Sequence, residues 1–133
     1  MKKHLLMLAI ASTCFVAGQA SAMTQDEYKV AKEKIEADYK VAKAKCDTLK
    51  DNAKDVCEKE AKGQENVAKA ELEQQYKPSP AHARNVAEEK VKANYEVAKE
   101  KCDDLKSDAK SACEKQAKAD EAKGKAEIKA MKM

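Results

Sequence analysis

The sequence lacks tryptophan, and its only phenylalanine, Phe15, lies in the segment before Met23. Residues 23–133 contain just twelve valine, isoleucine and leucine side chains, so the chain supports at most one small or narrow core. So low an aliphatic content is typical of disordered chains, but those usually carry a high net charge as well. Residues 23–133 contain 25 basic and 24 acidic side chains, and the remainder is rich in alanine. The composition therefore favours solvated helices.

Chemical motifs are also missing from the sequence. There is no glycine-rich phosphate loop, no nucleophile with an adjacent base and no acid pair in an apolar setting. His82 is the only histidine after Ala22, and the cysteines are spaced too widely for a zinc motif. We therefore predict a protein that is not an enzyme and that has no catalytic, cofactor or metal site. Because the charge is almost balanced, we predict no nucleic-acid partner either.

The segment Met1–Ala22 has the pattern of a secretory signal peptide. Lys2 and Lys3 supply the positive start, residues 5–16 the apolar run, and Ala20-Ser21-Ala22 the cleavage site. The apolar run is too short to span a bilayer, so we predict no stable membrane insertion after cleavage. A periplasmic or secreted protein starting at Met23 is expected.

The remaining chain is a duplication. The segment at positions 39–62, YKVAKAKCDTLKDNAKDVCEKEAK, returns at positions 95–118 as YEVAKEKCDDLKSDAKSACEKQAK, with 16 of 24 positions identical. We divide the chain into a signal peptide (1–22), helical repeat 1 (23–77), a proline-rich turn (78–80) and helical repeat 2 (81–133). The turn is the clearest boundary, because Pro78 and Pro80 interrupt helical hydrogen bonding.

An eleven-residue period runs through each repeat. Eleven residues make almost three helical turns, so the recurring alanine, valine and cysteine positions share one helix face, which is typical of helix packing. The period becomes polar near residues 50–52 and 106–108, where we predict helix breaks, with Asn52 as the cap after the first break and Ser107 or Asp108 as the cap after the second. Four helices are therefore expected, near residues 25–50, 53–77, 81–106 and 109–131.

Four cysteines follow the signal peptide: Cys46, Cys57, Cys102 and Cys113. An even number in an oxidising compartment favours disulfides. Within one unbroken helix, cysteines eleven residues apart are separated by about 16 Å, too far for a bond, so the chain has to turn between partners.

Two topologies place a turn between the bonded cysteines. In one, two tandem αα-hairpins pair Cys46 with Cys57 and Cys102 with Cys113, giving an all-α, bundle-like protein of four helices. In the other, a single long antiparallel hairpin turns at Pro78–Pro80 and pairs Cys46 with Cys113 and Cys57 with Cys102. We favour the local pairing, because short loops close easily and the polar break recurs in both repeats.

The four tyrosines are the only large aromatic side chains after Ala22, which makes them candidates both for the core and for contacts with a partner. These are Tyr28, Tyr39, Tyr76 and Tyr95.

The repeated block Tyr-x-Val-Ala-Lys-x-Lys-Cys-Asp, the ten residues between cysteines and the following Cys-Glu-Lys-x-Ala-Lys resemble a group of small exported bacterial proteins, some loosely described as TolA-like envelope proteins. The eleven-residue period and its Ala-Lys-Glu-Lys composition, seen at Ala31–Lys34, also resemble group 3 late-embryogenesis-abundant proteins. The first resemblance implies a structural or interaction protein of the cell envelope, with an envelope protein as partner. The second implies protection against stress or drying.

Overall fold

The computed structural model describes residues 22–132, which form four α-helices and no strand. The helices are α1 (Gln25–Cys46), α2 (Asp51–Tyr76), α3 (Pro80–Cys102) and α4 (Ser107–Ala130). Helices α1 and α2 form one hairpin and α3 and α4 the other, so the prediction of an all-α fold of two tandem hairpins is confirmed. The predicted signal peptide lies outside the described residues, apart from Ala22.

The four helices pack as a row. Helix α1 packs on α2, α2 on α3 and α3 on α4, while within residues 22–132 α1 makes no close backbone approach to α3 or α4, nor α2 to α4. The two outer helices therefore each have one neighbour and one side without a helix partner.

The hairpins begin with side-chain caps at α1 and α3. The Thr24 hydroxyl accepts a hydrogen bond from the Glu27 backbone N–H at 3.2 Å, and the Glu27 carboxylate accepts one from the Thr24 N–H at 2.7 Å. This reciprocal pair satisfies two amide donors that a helix start otherwise leaves open. At α3 the Ser79 hydroxyl accepts from the His82 N–H at 3.0 Å, and Pro80 is the first helical residue.

Helices α1 and α3 end four residues earlier than predicted. The Leu49 N–H donates to the Cys46 carbonyl at 2.9 Å, and the Leu105 N–H donates to the Cys102 carbonyl at 3.0 Å, so the chain turns immediately after each cysteine. This turn lets the next helix return antiparallel within disulfide reach.

The predicted caps at Asn52 and at Ser107 or Asp108 are wrong. The residues at the cap positions are Lys50 and Lys106, neither of which makes a side-chain capping bond. The Asn52 amide instead donates to the backbone carbonyl of Glu100 in α3, at 3.0 Å. The Asn52 side chain therefore joins the two repeats instead of capping its own helix.

The first residues of α2 and α4 have left-handed backbones. Asp51 and Ser107, which occupy the same position in the two repeats, both have a φ of 51°. For a residue with a Cβ atom, this conformation costs roughly 1–2 kcal/mol relative to the right-handed helix. The tight reversal of each hairpin therefore stores a small amount of strain at a fixed place.

We expect Ser107→Gly to raise the free energy of unfolding by about 0.5–1 kcal/mol, because glycine adopts positive φ without the steric penalty. The matched control is Ser111→Gly within α4, where glycine only weakens the helix and costs about 0.5 kcal/mol. Urea unfolding followed by circular dichroism measures both. If the two substitutions change stability in the same direction, the left-handed backbone at residue 107 is not a source of strain.

The helix junctions are narrow because small residues line them. A Cβ atom placed on Gly63 in α2 would lie 2.8 Å from the Cβ of Ala93 in α3. A Cβ on Gly124 in α4 would lie 2.5 Å from Cγ2 of Val91. The buried residues are correspondingly small or few: Cys46, Ala61, Gly63, Glu65, Ala70, Leu72, Cys102, Ala117 and Ile128. The core is thus a set of thin seams between neighbouring helices.

Ion pairs border the α2–α3 seam. The Lys101 ammonium lies 3.0 Å from the Glu60 carboxylate, and the Lys90 ammonium lies 2.7 Å from that of Glu71. All four side chains are largely solvated, so each pair adds little to stability. Their positions nevertheless show that α2 and α3 run antiparallel.

Candidate interaction surfaces

The four predicted cysteines form one disulfide at the tip of each hairpin. Cys46 bonds Cys57 and Cys102 bonds Cys113, with Cα atoms 5.5 Å and 5.6 Å apart. Cys46 and Cys102 are completely buried. The structure thus contains the local pairing and the two-hairpin topology, and these sulfurs hold helix ends together.

An ion pair repeats at each hairpin tip beside the disulfide. Lys54 lies 3.1 Å from Asp47 in the first hairpin, and Lys110 lies 2.7 Å from Asp103 in the second. Hydrogen bonding to the aspartate is the main cause that raises the pKa of each lysine ammonium. The equivalent pairs extend the internal symmetry of the repeats to their loops.

Tyr28 and Tyr76 close the open end of the first hairpin. Their ring centroids lie 4.5 Å apart, at the start of α1 and the end of α2, and the Tyr28 hydroxyl donates to the Glu73 carboxylate. This hydrogen bond, with smaller contributions from burial and nearby charge, raises the pKa of the Tyr28 phenol. These two predicted tyrosines therefore join α1 to α2.

Tyr39 and Tyr95 occupy equivalent positions in the middle of α1 and α3. Both are half-buried against the second helix of their own hairpin. The Lys62 ammonium lies 5.2 Å from the centroid of the Tyr39 ring, close enough for a cation–π contact. Tyr95 instead lines an open groove beside Val91 and Ile128. Partner binding by any of the four tyrosines stays a prediction.

This groove, which we call the α3–α4 groove, has an apolar floor formed by Val91, Tyr95 and Ile128. It encloses about 760 Å³, against about 270 Å³ for the corresponding groove between α1 and α2. Its rims carry charges of both signs, from Glu88, Glu89, Lys92, Glu96, Glu121, Lys125, Lys129 and Lys132.

The difference between the two grooves follows from three substitutions between the repeats. Tyr28, Glu73 and Tyr76 close the first hairpin, and the aligned positions of the second repeat hold Arg84, Lys129 and Lys132. Three cationic side chains cannot reproduce a tyrosine stack or a hydroxyl–carboxylate bond. The second hairpin therefore keeps an open groove with a positive end. Arg84, Lys129 and Lys132 are not among the site residues predicted from the sequence, although an alignment of the two repeats beyond residues 39–62 reveals all three.

Glu65 is a buried carboxylate in α2. Its side chain is only 6% exposed, and it accepts hydrogen bonds from the ammonium groups of Lys62 at 2.8 Å and Lys69 at 2.7 Å. Burial by itself raises the pKa of the carboxyl, but the hydrogen bonds and charges of the two lysines outweigh burial and lower it. The folded protein therefore favours the ionised form of the Glu65 carboxylate at the α1–α2 seam.

We expect Glu65→Gln to reduce the loss of stability in acid. A native pKa below the unfolded one means that the unfolded chain binds the proton more tightly. The stabilisation is therefore complete well above the ordinary glutamate pKa of 4.5 and disappears as the pH falls below it through the lower native value. Free energies of unfolding measured from neutral pH to pH 3 should show a shallower decline for Glu65→Gln than for the wild type.

The control for this prediction is Glu121→Gln at the equivalent position of the second repeat. Glu121 is 21% exposed and pairs with Lys125 in α4. Because this carboxylate is more solvated and has one lysine partner instead of two, its substitution should change stability less than Glu65→Gln does. Equal effects of the two substitutions would contradict a special role for the buried carboxylate.

Groups suited to metal binding are not brought together in the described part of the chain. No cluster of three or more histidine, cysteine, aspartate or glutamate side chains with metal-binding geometry occurs in residues 22–132. His82 lies in the first turn of α3, where its Nδ1 is 2.7 Å from the Lys77 carbonyl oxygen.

None of the helices in residues 22–132 combines the length and apolarity needed to cross a membrane. No protein-family model, curated protein or solved structure matches this chain.

Proposed function

We propose that this chain is a non-enzymatic structural and interaction protein of the cell envelope, exported to the periplasm or secreted, which binds an amphipathic helix of another envelope protein in the α3–α4 groove. Export is supported by the signal-peptide pattern of residues 1–22 and by two disulfides, which persist in oxidising compartments. The resemblance to small exported envelope proteins supports the same location.

The α3–α4 groove carries this proposal. It lies between two antiparallel helices, where a third helix can place an apolar stripe against Val91, Tyr95 and Ile128. The α3 rim of the groove is mainly acidic and the α4 rim mainly basic, which suits a helix whose two polar flanks carry opposite charges. The corresponding groove of repeat 1 is smaller and is closed at one end by the chain's own tyrosines. Repeat 2 is therefore the half specialised for an external helix.

Affinity capture from a periplasmic extract tests the proposal. We expect the oxidised protein to recover one specific protein, and Tyr95→Ala to lose it, because this substitution removes the aromatic part of the groove floor. The matched control is Tyr39→Ala, which makes the same change at the equivalent position of repeat 1 and should keep the partner. Circular dichroism of both variants checks that they remain folded.

Two outcomes would overturn the proposal. The first is recovery of the same partner by Tyr95→Ala and by the wild type. The second is absence of any specific partner, together with protection of unrelated enzymes during drying, which indicates a protector of the late-embryogenesis-abundant kind.

A further inference from the structure

Helix α1 has a face without a partner helix on the edge of the row. We call it the outer α1 face and define it by Val30, Ala37, Val41 and Ala44, all of which are exposed. Val30 is 66% and Val41 57% exposed, the two highest values among the large apolar side chains of residues 22–132. Exposing two valine side chains on one helix face leaves apolar area in water that a partner could bury.

The second repeat shows what this face does when it has a neighbour. Ala93 and Val97, which correspond to Ala37 and Val41, lie on α3 in the seam with α2. Lys90 and Lys101, which correspond to Lys34 and Lys45, form the ion pairs that border this seam. Ala37 and Val41 of the outer α1 face are therefore the equivalents of residues with which the same helix in repeat 2 packs on another helix.

The other edge of the row does not complement this face. The position of Gly63, whose missing side chain lets α3 approach α2, is occupied in α4 by Ala119. The position of Val67, which also lines the α2–α3 seam, is occupied by Lys123. A second copy cannot dock its α1 on α4 as α3 docks on α2, because the methyl group of Ala119 would collide with Ala37. Open-ended assembly of the row is thus blocked.

The charges beside the outer α1 face complement each other when two copies of α1 run antiparallel. About a two-fold axis near residue 36, Lys34 of one copy lies opposite Asp38 of the other, and Val30 lies opposite Val41. Two further pairs have opposite charges in the same register, Glu27 with Lys45 and Glu33 with Lys40. In each pair the two residues lie on the same side of the apolar stripe of α1. Two antiparallel helices related by a two-fold axis bring such residues together. A parallel pair would instead place like charges together.

We propose that this protein forms a two-fold homodimer in which the outer faces of two α1 helices pack antiparallel. Val30, Ala37 and Ala44 recur every seven residues, the spacing of a coiled-coil seam, and the alanines allow a close approach. The contact is one helix wide and about 33 Å long, so the dimer is a weak one at the small end of specific interfaces. It leaves the α3–α4 groove free and is independent of the function proposed above.

Sedimentation equilibrium of the oxidised protein, at concentrations up to about 1 mM, tests the dimer. We expect the mass to rise from one chain to two and then to level off. Val41→Glu should raise the dissociation constant at least about tenfold by placing a charge in the seam. Leu105→Glu, which changes an exposed apolar residue outside α1, should leave it unchanged.

A charge-reversal series tests the antiparallel register. Lys34→Glu alone and Asp38→Lys alone each place like charges opposite one another, and both should weaken the dimer. The double variant restores the pair across the axis and should return the dissociation constant to near the wild-type value. A monomer at every concentration, growth beyond two chains, or failure of the double variant to recover would overturn the proposal.

Discussion

Replacing Cys46 and Cys57 with alanine should lower the free energy of unfolding by about 2–4 kcal/mol. The disulfide joins residues eleven positions apart, and closing a loop of this size removes about 3 kcal/mol of unfolded-chain entropy in the chain-entropy model. Few large apolar side chains are buried, so apolar burial between the helices contributes little stability that could offset the loss of the disulfide. Urea unfolding of the double-alanine variant, followed by circular dichroism, gives the value directly.

The equivalent variant of the second hairpin is Cys102→Ala with Cys113→Ala. Its free energy of unfolding should fall by a similar amount, but its pattern of amide hydrogen exchange should differ. Helix α4 packs only on α3 within the described residues, and no tyrosine stack closes the open end of this hairpin. Without its disulfide, α4 should therefore open as a unit before the rest of the chain. Helix α1 should be better protected after loss of Cys46–Cys57, because Tyr28 and Tyr76 still hold its other end.

Several results would contradict this account of the disulfides. A loss below about 0.5 kcal/mol for either pair would mean that the helix seams alone fix the hairpins. Faster exchange of α1 than of α4 would mean that the Tyr28–Tyr76 contact does not support the first hairpin.

The sequence predicts the two-hairpin fold well because its main determinants are local. The cysteine spacing, the polar interruptions near Asn52 and Asp108 and the prolines at the centre all act through nearby backbone geometry. The helix ends were less accurate for the same reason. A cysteine followed by aspartate does not itself end a helix, and the stop after Cys46 depends on where the returning helix lies.

The interaction surfaces were harder to predict because they depend on which helices are neighbours. Val41 and Val97 occupy equivalent sequence positions, yet Val97 lies in a seam and Val41 faces solvent. Periodicity identifies a packing face but does not say whether a partner helix is present. Likewise, Tyr39 and Tyr95 are equivalent in sequence, and the distinction between them comes from distant residues at the hairpin ends.

The seam between α2 and α3 joins the two hairpins, and Gly63 is its narrowest point. We expect Gly63→Val to lower the free energy of unfolding by about 2–3 kcal/mol. The new Cβ atom would begin 2.8 Å from the Cβ of Ala93, which is fixed to the backbone and cannot rotate away. Relief therefore requires the two helices to separate. Ala122→Val, at an exposed position of α4, is the control and should cost only about 0.5 kcal/mol through helix propensity.

An exchange of side chains distinguishes this close approach from a general effect of substituting a buried glycine. The double variant Gly63→Ala with Ala93→Gly keeps one methyl group in the seam and the same total helix propensity, so its stability should lie within about 0.5 kcal/mol of wild type. Ala93→Gly alone should cost about 1 kcal/mol, and the double variant should be more stable than the sum of the two single changes.

If Gly63→Ala alone instead stabilises the protein by about 1 kcal/mol, as at an ordinary exposed helix position, α2 and α3 do not touch there. In Gly63→Val each hairpin keeps its own disulfide and its own seam. Amide hydrogen exchange should consequently become faster along α2 and α3 before it does so on the outer sides of α1 and α4. This result would identify each hairpin as a folding unit and the Gly63–Ala93 contact as the point where the two units pack together.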